Sequence, residues 1–280
     1  MENETPQAGA GSPGENQPAQ PPVPTAAEMP VGEFTAAAPA ATPWIAPWWH
    51  LLIILAMLFG NSFFGSSGGK NLLTGPKARF VIYGATFTFE LVIVALIWLG
   101  IRSRGVTMRE LIGGRWDSVE SFLLDIAIAA VFFFVASGIL IGLRVALGTL
   151  DLHNTARQAA DTKKLLAPLI PRTGGEAAFF VVLALGAGLF EEIIFRGYLQ
   201  RQFAALGKNV WAGIMLSAAA FGLGHGYQGN RMMIVIGVYG ALFGILVYLR
   251  KSLRPGMMAH AFQDAFSGLA LFFLTKNGLI

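Results

Sequence analysis

Seven apolar segments constrain the fold more than any other feature of this sequence. Their approximate ranges are 44–65, 79–100, 119–143, 175–206, 209–226, 231–250 and 255–275. Most of them reach the roughly 18–20 residues that a helix needs to cross the hydrocarbon of a bilayer. Only 13% of the residues are charged, whereas about 25% are charged in soluble domains. The sequence therefore predicts an all-α, polytopic membrane protein with about seven transmembrane helices.

Composition divides the chain into four parts. Residues 1–43 are rich in Pro, Ala and Gly and contain five Glu but no Lys or Arg, so we expect a disordered tail. Residues 44–143 hold the first three transmembrane helices, and 144–174 form a hydrophilic loop. That loop contains a candidate interfacial helix around Asn154–Leu166, which would be an eighth helix. Residues 175–280 form the transmembrane core that carries the polar motifs.

The charge distribution indicates a lipid bilayer as the partner, with no nucleic acid. The net charge of +4 is modest and is spread over the loops between the apolar segments. When the loops are assigned alternately to the two sides, each side receives ten Lys and Arg residues, with Arg196 included in the count. The positive-inside rule therefore predicts no orientation.

The fourth segment carries three charges where an apolar helix is expected. Ionisable residues inside a membrane are costly and need a reason. Glu192 and Arg196 are four residues apart on a helix, with the acid first, which is the favourable order for an ion pair. Glu191 points about 100° away from that pair. The alternative is a helix end at the membrane interface with three solvated charges.

Two further segments contain histidines in apolar surroundings. His225 lies in the glycine-rich stretch FGLGHG, and His260 and Asp264 are four residues apart on one face of the last segment. Each feature alone has a structural explanation, a hydrogen-bonded core histidine or an orienting His–Asp pair. Together with Glu191 they supply the groups that activate water and stabilise an oxyanion, or that bind a divalent metal.

Several protease chemistries lack their sequence marks. The chain has no cysteine, no GxGD aspartyl motif and no HExxH zinc motif, and neither Ser137-Gly138 nor Ser267-Gly268 has the glycine that a GxSG serine motif requires. The order of the three polar motifs resembles instead the CPBP family, which comprises CAAX prenyl endopeptidases and bacteriocin-processing or immunity proteins and is also called the Abi family. The resemblance covers about residues 170–275. It rests on Glu191-Glu192-x-x-x-Arg196, Phe221-x-x-x-His225 and His260-x-x-x-Asp264.

The resemblance implies a catalytic role for four residues. Glu191 would be the general base on a water molecule, His225 would hold that water, and His260 and Asp264 would stabilise the oxyanion. Asp264 departs from the Asn of the prenyl-protein enzymes. An ionised Asp264 would repel an oxyanion, so it would act protonated, as an orienting group for His260, or as a metal ligand.

The resemblance leaves one question about the site open, namely whether the mechanism uses a metal. Glu192 and Arg196 would support the catalytic residues as an ion pair. The resemblance fits both a metal-free glutamate mechanism and a divalent metal such as zinc, which would be held by Glu191, His225, His260 and Asp264.

The sequence thus favours an intramembrane endopeptidase that acts on a peptide or membrane-protein substrate. We expect an integral membrane protein of a bacterial cell membrane. One alternative is a non-catalytic bacteriocin-immunity or membrane scaffold protein of the same fold. A second alternative, a transporter or proton conduit, is disfavoured because the sequence has no internal repeat.

Overall fold

The computed structural model describes residues 43–67, 77–150 and 167–279. The predicted tail, apart from its last residue, lies outside these ranges. The predicted interfacial helix at Asn154–Leu166 also lies outside them.

The described ranges contain eight α-helices and no strand. They are α1 (Trp48–Ser67), α2 (Ala78–Arg102), α3 (Met108–Ile112), α4 (Val119–Ala146), α5 (Gly174–Gly207), α6 (Val210–Gly224), α7 (Asn230–Arg250) and α8 (Arg254–Lys276). Helix α5 changes its winding along its length: Gly174–Glu191 and Gln200–Gly207 are α-helical, whereas Glu192–Leu199 is π-helical. A 3₁₀ turn, Gly226–Gln228, joins α6 to α7.

Five of these helices are long and apolar enough to cross a membrane, namely α2, α4, α5, α7 and α8. The apolar stretch Trp48–Phe63 of α1 and the whole of α6 are shorter. The prediction of a polytopic helical membrane protein is confirmed, although the first and fifth predicted segments are not full-length spans.

Helix α6 is shorter than a full membrane span. Its 15 residues extend about 22 Å, less than the roughly 30 Å of bilayer hydrocarbon. His225 comes directly after α6, and the chain then turns back into α7.

Small residues bring the helices around the motifs close together. A methyl group added at Gly188 of α5 would lie 2.6 Å from the Cβ of Ala261 on α8. One added at Gly213 of α6 would lie 2.8 Å from the Cβ of Ala204 on α5. Lipid gives little hydrophobic drive for helix association, so close packing at small residues contributes most of the attraction.

A side-chain amide holds the chain where α1 begins. Gln202 Oε1 accepts hydrogen bonds from the backbone N–H groups of Ile45 (3.1 Å) and Ala46 (3.3 Å). The Gln202 amide also donates to the Ala46 carbonyl at 3.2 Å. These backbone groups are satisfied without a helix, so α1 starts at Trp48, four residues later than the predicted segment.

Asp125 is one of three buried acids, with Glu90 and Glu176, that lie in the apolar segments of the described ranges but outside the motifs. Its carboxylate accepts hydrogen bonds from Trp116 Nε1 (2.9 Å) and from Arg250 Nη2 (3.0 Å). Arg250 is the last residue of α7, so the ion pair ties α4 to α7. Asp125 is therefore a structural residue.

We expect Gly188→Ala to lower the free energy of unfolding by about 1–3 kcal/mol, because the added methyl group separates α5 from α8. Gly138→Ala in α4 is the matched control, since nothing lies within 4 Å of its added Cβ. This control should be neutral or slightly stabilising, because Ala is favoured over Gly inside a helix. Thermal unfolding in detergent, followed by circular dichroism, measures both, and equal stability of the two variants would contradict the close crossing.

Candidate active site where α5, α6 and α8 meet

The first motif lies where α5 changes from α-helical to π-helical winding. All eight residues of the π-helical segment Glu192–Leu199 are buried. The hydroxyl of Ser217 on α6 donates a hydrogen bond to the Phe195 carbonyl at 2.6 Å, which satisfies one backbone acceptor of the segment. π-helical turns occur often at functional sites. The continuous helix agrees with the sequence, but its altered winding was not predicted.

The predicted ion pair between Glu192 and Arg196 is present and fully buried. Arg196 Nη1 donates to Glu192 Oε1 at 2.9 Å, and the two side chains are 1% and 0% exposed. The guanidinium carbon lies 4.3 Å from the ring centre of Phe221 and 4.9 Å from that of Phe243. The faces of these rings attract the cation. The phenylalanine of the second motif thus helps to hold the arginine of the first.

His260 binds the same carboxylate from α8. Its Nδ1 lies 3.0 Å from Glu192 Oε1. A carboxylate only accepts, so Nδ1 carries the hydrogen and Nε2 is left free. Nε2 lies 3.6 Å from Glu191 Oε2 and 3.7 Å from Asp264 Oδ2. The group that orients the imidazole is therefore Glu192 on another helix, rather than Asp264 one turn away.

The two adjacent glutamates have different surroundings. The Glu192 side chain is completely buried, whereas that of Glu191 is 18% exposed and that of Asp264 is 39% exposed. Glu191 and Asp264 are thus the two partly exposed acids that flank His260 Nε2. We call this the site pocket, lined by Glu191, His260 and Asp264.

His225 lies next to this group at the end of α6. Its Nδ1 bonds to the Phe221 carbonyl at 2.9 Å, so Nδ1 is the donor and Nε2 is available. Its ring packs edge-on against Phe221 at 4.8 Å, and Phe221 in turn lies 6.1 Å from His260. Asp264 interacts electrostatically with His225 as well as with His260 and Glu191. The structure therefore brings the four candidate catalytic residues into one neighbourhood.

The site also contains side chains that were not predicted from the sequence as site residues. On α7, Phe243 stacks on His260 at 5.2 Å, and Tyr239 lies 6.3 Å from the same ring and donates to Gln263 Oε1. Glu90 on α2 is 7% exposed and interacts electrostatically with the site. The apolar sequence of α7 gave no signal for its inward face, whereas the isolated charge of Glu90 did.

The placement of the four candidate ligands bears on the metal alternative. Within the described ranges, no three or more His, Asp or Glu side chains are grouped so as to hold a metal ion. The four residues Glu191, His225, His260 and Asp264, as they are placed, therefore do not fit a metal centre. The reaction proposed below uses no step through a metal.

Comparison with known proteins agrees with the motifs. Residues 173–266 match the family model described as type II CAAX prenyl endopeptidase Rce1-like, and this range includes every residue of the three motifs. No curated protein and no solved structure matches the chain. The part of the chain that carries the site is therefore similar to the Rce1-like type II CAAX prenyl endopeptidases, the CPBP-type membrane proteases that the motifs resemble.

Proposed function

We propose that this protein is an intramembrane endopeptidase that hydrolyses peptide bonds with Glu191 as the general base. One observation carries the proposal. Glu191 Oε2 and Asp264 Oδ2 lie 3.6 Å and 3.7 Å from His260 Nε2, while Arg196 neutralises the neighbouring Glu192. The substrate is a peptide or membrane protein, and the family match favours one with a prenylated carboxyl terminus.

Water activation follows from the positions of Glu191 and His260. A general base must lie within hydrogen-bond reach of the proton that it removes. Because Glu191 Oε2 and His260 Nε2 are 3.6 Å apart, one water molecule can contact both atoms. In the proposed reaction Glu191 takes a proton from this water, and the oxygen attacks the peptide carbonyl carbon. Glu191 then returns the proton to the amine nitrogen as the intermediate collapses and the C–N bond breaks.

Charge at the imidazoles stabilises the intermediate that forms. The developing oxyanion requires a donor, and His260 becomes one when its Nε2 is protonated. The Glu192 and Asp264 carboxylates on either side of the ring then stabilise the imidazolium cation. Asp264 thus acts on His260 and not on the oxyanion, which it would repel. His225 Nε2 provides a second donor to the oxyanion when it is protonated.

The end of α6 offers a route for water and substrate. An open groove of about 440 Å³ lies beside the turn that follows His225. It is lined by Phe59, Ser62, Phe63, Leu223, Gly226 and Tyr227. Ser62 of α1 donates to the Gly224 carbonyl at 3.0 Å, so α1 closes one side of this turn. The apolar lining suits the aliphatic part of a membrane-bound substrate.

Replacement of the proposed base tests the reaction directly. We expect Glu191→Gln to lower cleavage of an internally quenched peptide library, offered with and without a farnesyl group, by about 100-fold or more. The reaction is measured on purified protein in liposomes. Glu120→Gln, an exposed glutamate in the first turn of α4, is the control and should cleave as the parent does. Unchanged cleavage by Glu191→Gln would refute the mechanism, and an inactive parent would favour the non-catalytic alternative.

Replacement of Arg196 should affect stability more than that of Glu191. Arg196→Met leaves the Glu192 carboxylate buried without its cation, which costs about 3–5 kcal/mol. The double variant Glu192→Gln/Arg196→Met should recover part of that loss, because no uncompensated charge remains. Glu191→Gln should unfold close to the parent temperature in detergent. If Arg196→Met were as stable as the parent, the ion pair would not be structural.

Chelation tests the choice of a metal-free route. Because the placed ligands do not form a metal centre, we expect cleavage to persist after dialysis against a chelator, with less than one equivalent of metal in the dialysed protein. Elemental analysis before and after dialysis is the measurement. Activity that is lost on dialysis and restored by zinc would replace the general-base mechanism with a metal-dependent one.

A further inference from the structure

Glu90 is a buried acid that the proposed reaction does not use. It lies in the middle of α2, it is 7% exposed, and its Oε2 atom has no hydrogen-bond partner within the described part of the chain. Burial of a polar atom without a partner is unfavourable by several kcal/mol in an apolar medium. The position therefore needs an explanation other than packing.

The other buried acids of the described ranges all have donors. Asp125 accepts from Trp116 and Arg250, and Glu192 accepts from Arg196 and His260. Glu176 accepts from the Arg172 backbone N–H at 2.7 Å. Each of these carboxylates ties two parts of the fold together. Glu192 Oε2 also lacks a partner, but Oε1 of that carboxylate accepts from two donors, whereas Glu90 accepts no hydrogen bond from the described part of the chain.

The packing of α2 brings Glu90 to the level of the site. Ile93 and Ile97 follow it on the same buried face of α2 and belong to the core that includes Phe190 and Ile194 of α5. One turn earlier, Phe87 packs edge-on against Phe190 at 5.3 Å. Phe190 directly precedes Glu191, so the face of α2 that carries Glu90 meets α5 where the first motif begins.

The electrostatic neighbours of Glu90 are the groups of the site pocket. Glu90 interacts with Glu191, His260 and Asp264, and the interaction with Glu191 is the largest of the three. Two carboxylates that face each other repel unless a donor lies between them. A water molecule has two hydrogens and would donate one to each carboxylate, while its oxygen accepts from His260 Nε2 when that nitrogen is protonated. One water in this position would supply the donor that Glu90 lacks.

We propose that Glu90 is a further catalytic residue, which lines the site pocket and accepts the second hydrogen bond of the water that Glu191 deprotonates. With both hydrogens held, a lone pair of the water oxygen is directed towards the peptide carbonyl carbon. The catalytic part rests on the proposed function, but the location of Glu90 in the hydrated pocket does not.

A labelling experiment tests that location without any substrate. The chain contains no cysteine, so single-cysteine variants report on one position each. Glu90→Cys, Glu191→Cys and Ile93→Cys are reconstituted in liposomes and treated with a charged, water-soluble methanethiosulfonate. We expect Glu90→Cys to react about as fast as Glu191→Cys and at least about tenfold faster than Ile93→Cys, which is completely buried one turn away. A Glu90→Cys rate equal to that of Ile93→Cys overturns the proposal.

Kinetics on the quenched peptides tests the role. Glu90→Leu should lower kcat about 100-fold with KM within about twofold, because the water loses a partner rather than the substrate. Glu90→Gln should retain part of the rate, since its amide oxygen still accepts. Tyr83→Phe is the control on the same helix, because it removes only a hydrogen bond to the Leu169 carbonyl, and it should keep the parent kcat.

The two experiments separate the failure of this proposal from that of the proposed function. Full activity of Glu90→Leu, or equal losses in Glu90→Leu and Tyr83→Phe, overturns the role of Glu90 while the Glu191 mechanism stands. If the parent cleaves no peptide, the proposed function fails. In that case the labelling rates alone decide whether Glu90 lines the pocket.

Discussion

One buried carboxylate oxygen holds the site together. Glu192 Oε1 accepts from Arg196 at 2.9 Å and from His260 at 3.0 Å, so a single atom joins the π-helical segment of α5 to α8. The rings of Phe221 and Phe243 cover the guanidinium and extend the cluster to α6 and α7. These buried charges are not stabilised by solvent, so each of them is stable only while its charged partners stay in place.

This shared oxygen also determines which groups are left for chemistry. Because Glu192 is completely buried and its Oε1 is held by two donors, the neighbouring Glu191, which is 18% exposed, is the acid left for chemistry. Because His260 donates from Nδ1, its Nε2 is directed towards Glu191 and Asp264. The fold and the reactive geometry therefore depend on the same contacts.

The sequence predicted the local part of this arrangement and not the part between helices. The spacing of four within one helix correctly paired Glu192 with Arg196, because both residues are on one element. The same rule paired His260 with Asp264, yet that pair is 3.7 Å apart, while Glu192 approaches His260 from another helix at 3.0 Å. The π-helical winding and the inward position of Glu90 likewise arise from tertiary packing, which periodicity does not encode. The helix count was predictable, because lipid requires long apolar segments.

The close crossing of α5 and α8 is the condition for the hydrogen bond between Glu192 and His260. Gly188 lies one turn before Glu192, and Ala261 directly follows His260, so the tightest backbone contact and the polar contact belong to the same crossing. A larger residue at either position would separate the helices by about 1 Å, because a Cβ at Gly188 would start 2.6 Å from the Ala261 Cβ and carbon atoms pack at about 3.5–4.0 Å. The small residues Gly186, Ala187 and Gly188 before the first motif therefore act on the chemistry. They fix the distance at which the imidazole meets its carboxylate, and lipid supplies no other force that would do so.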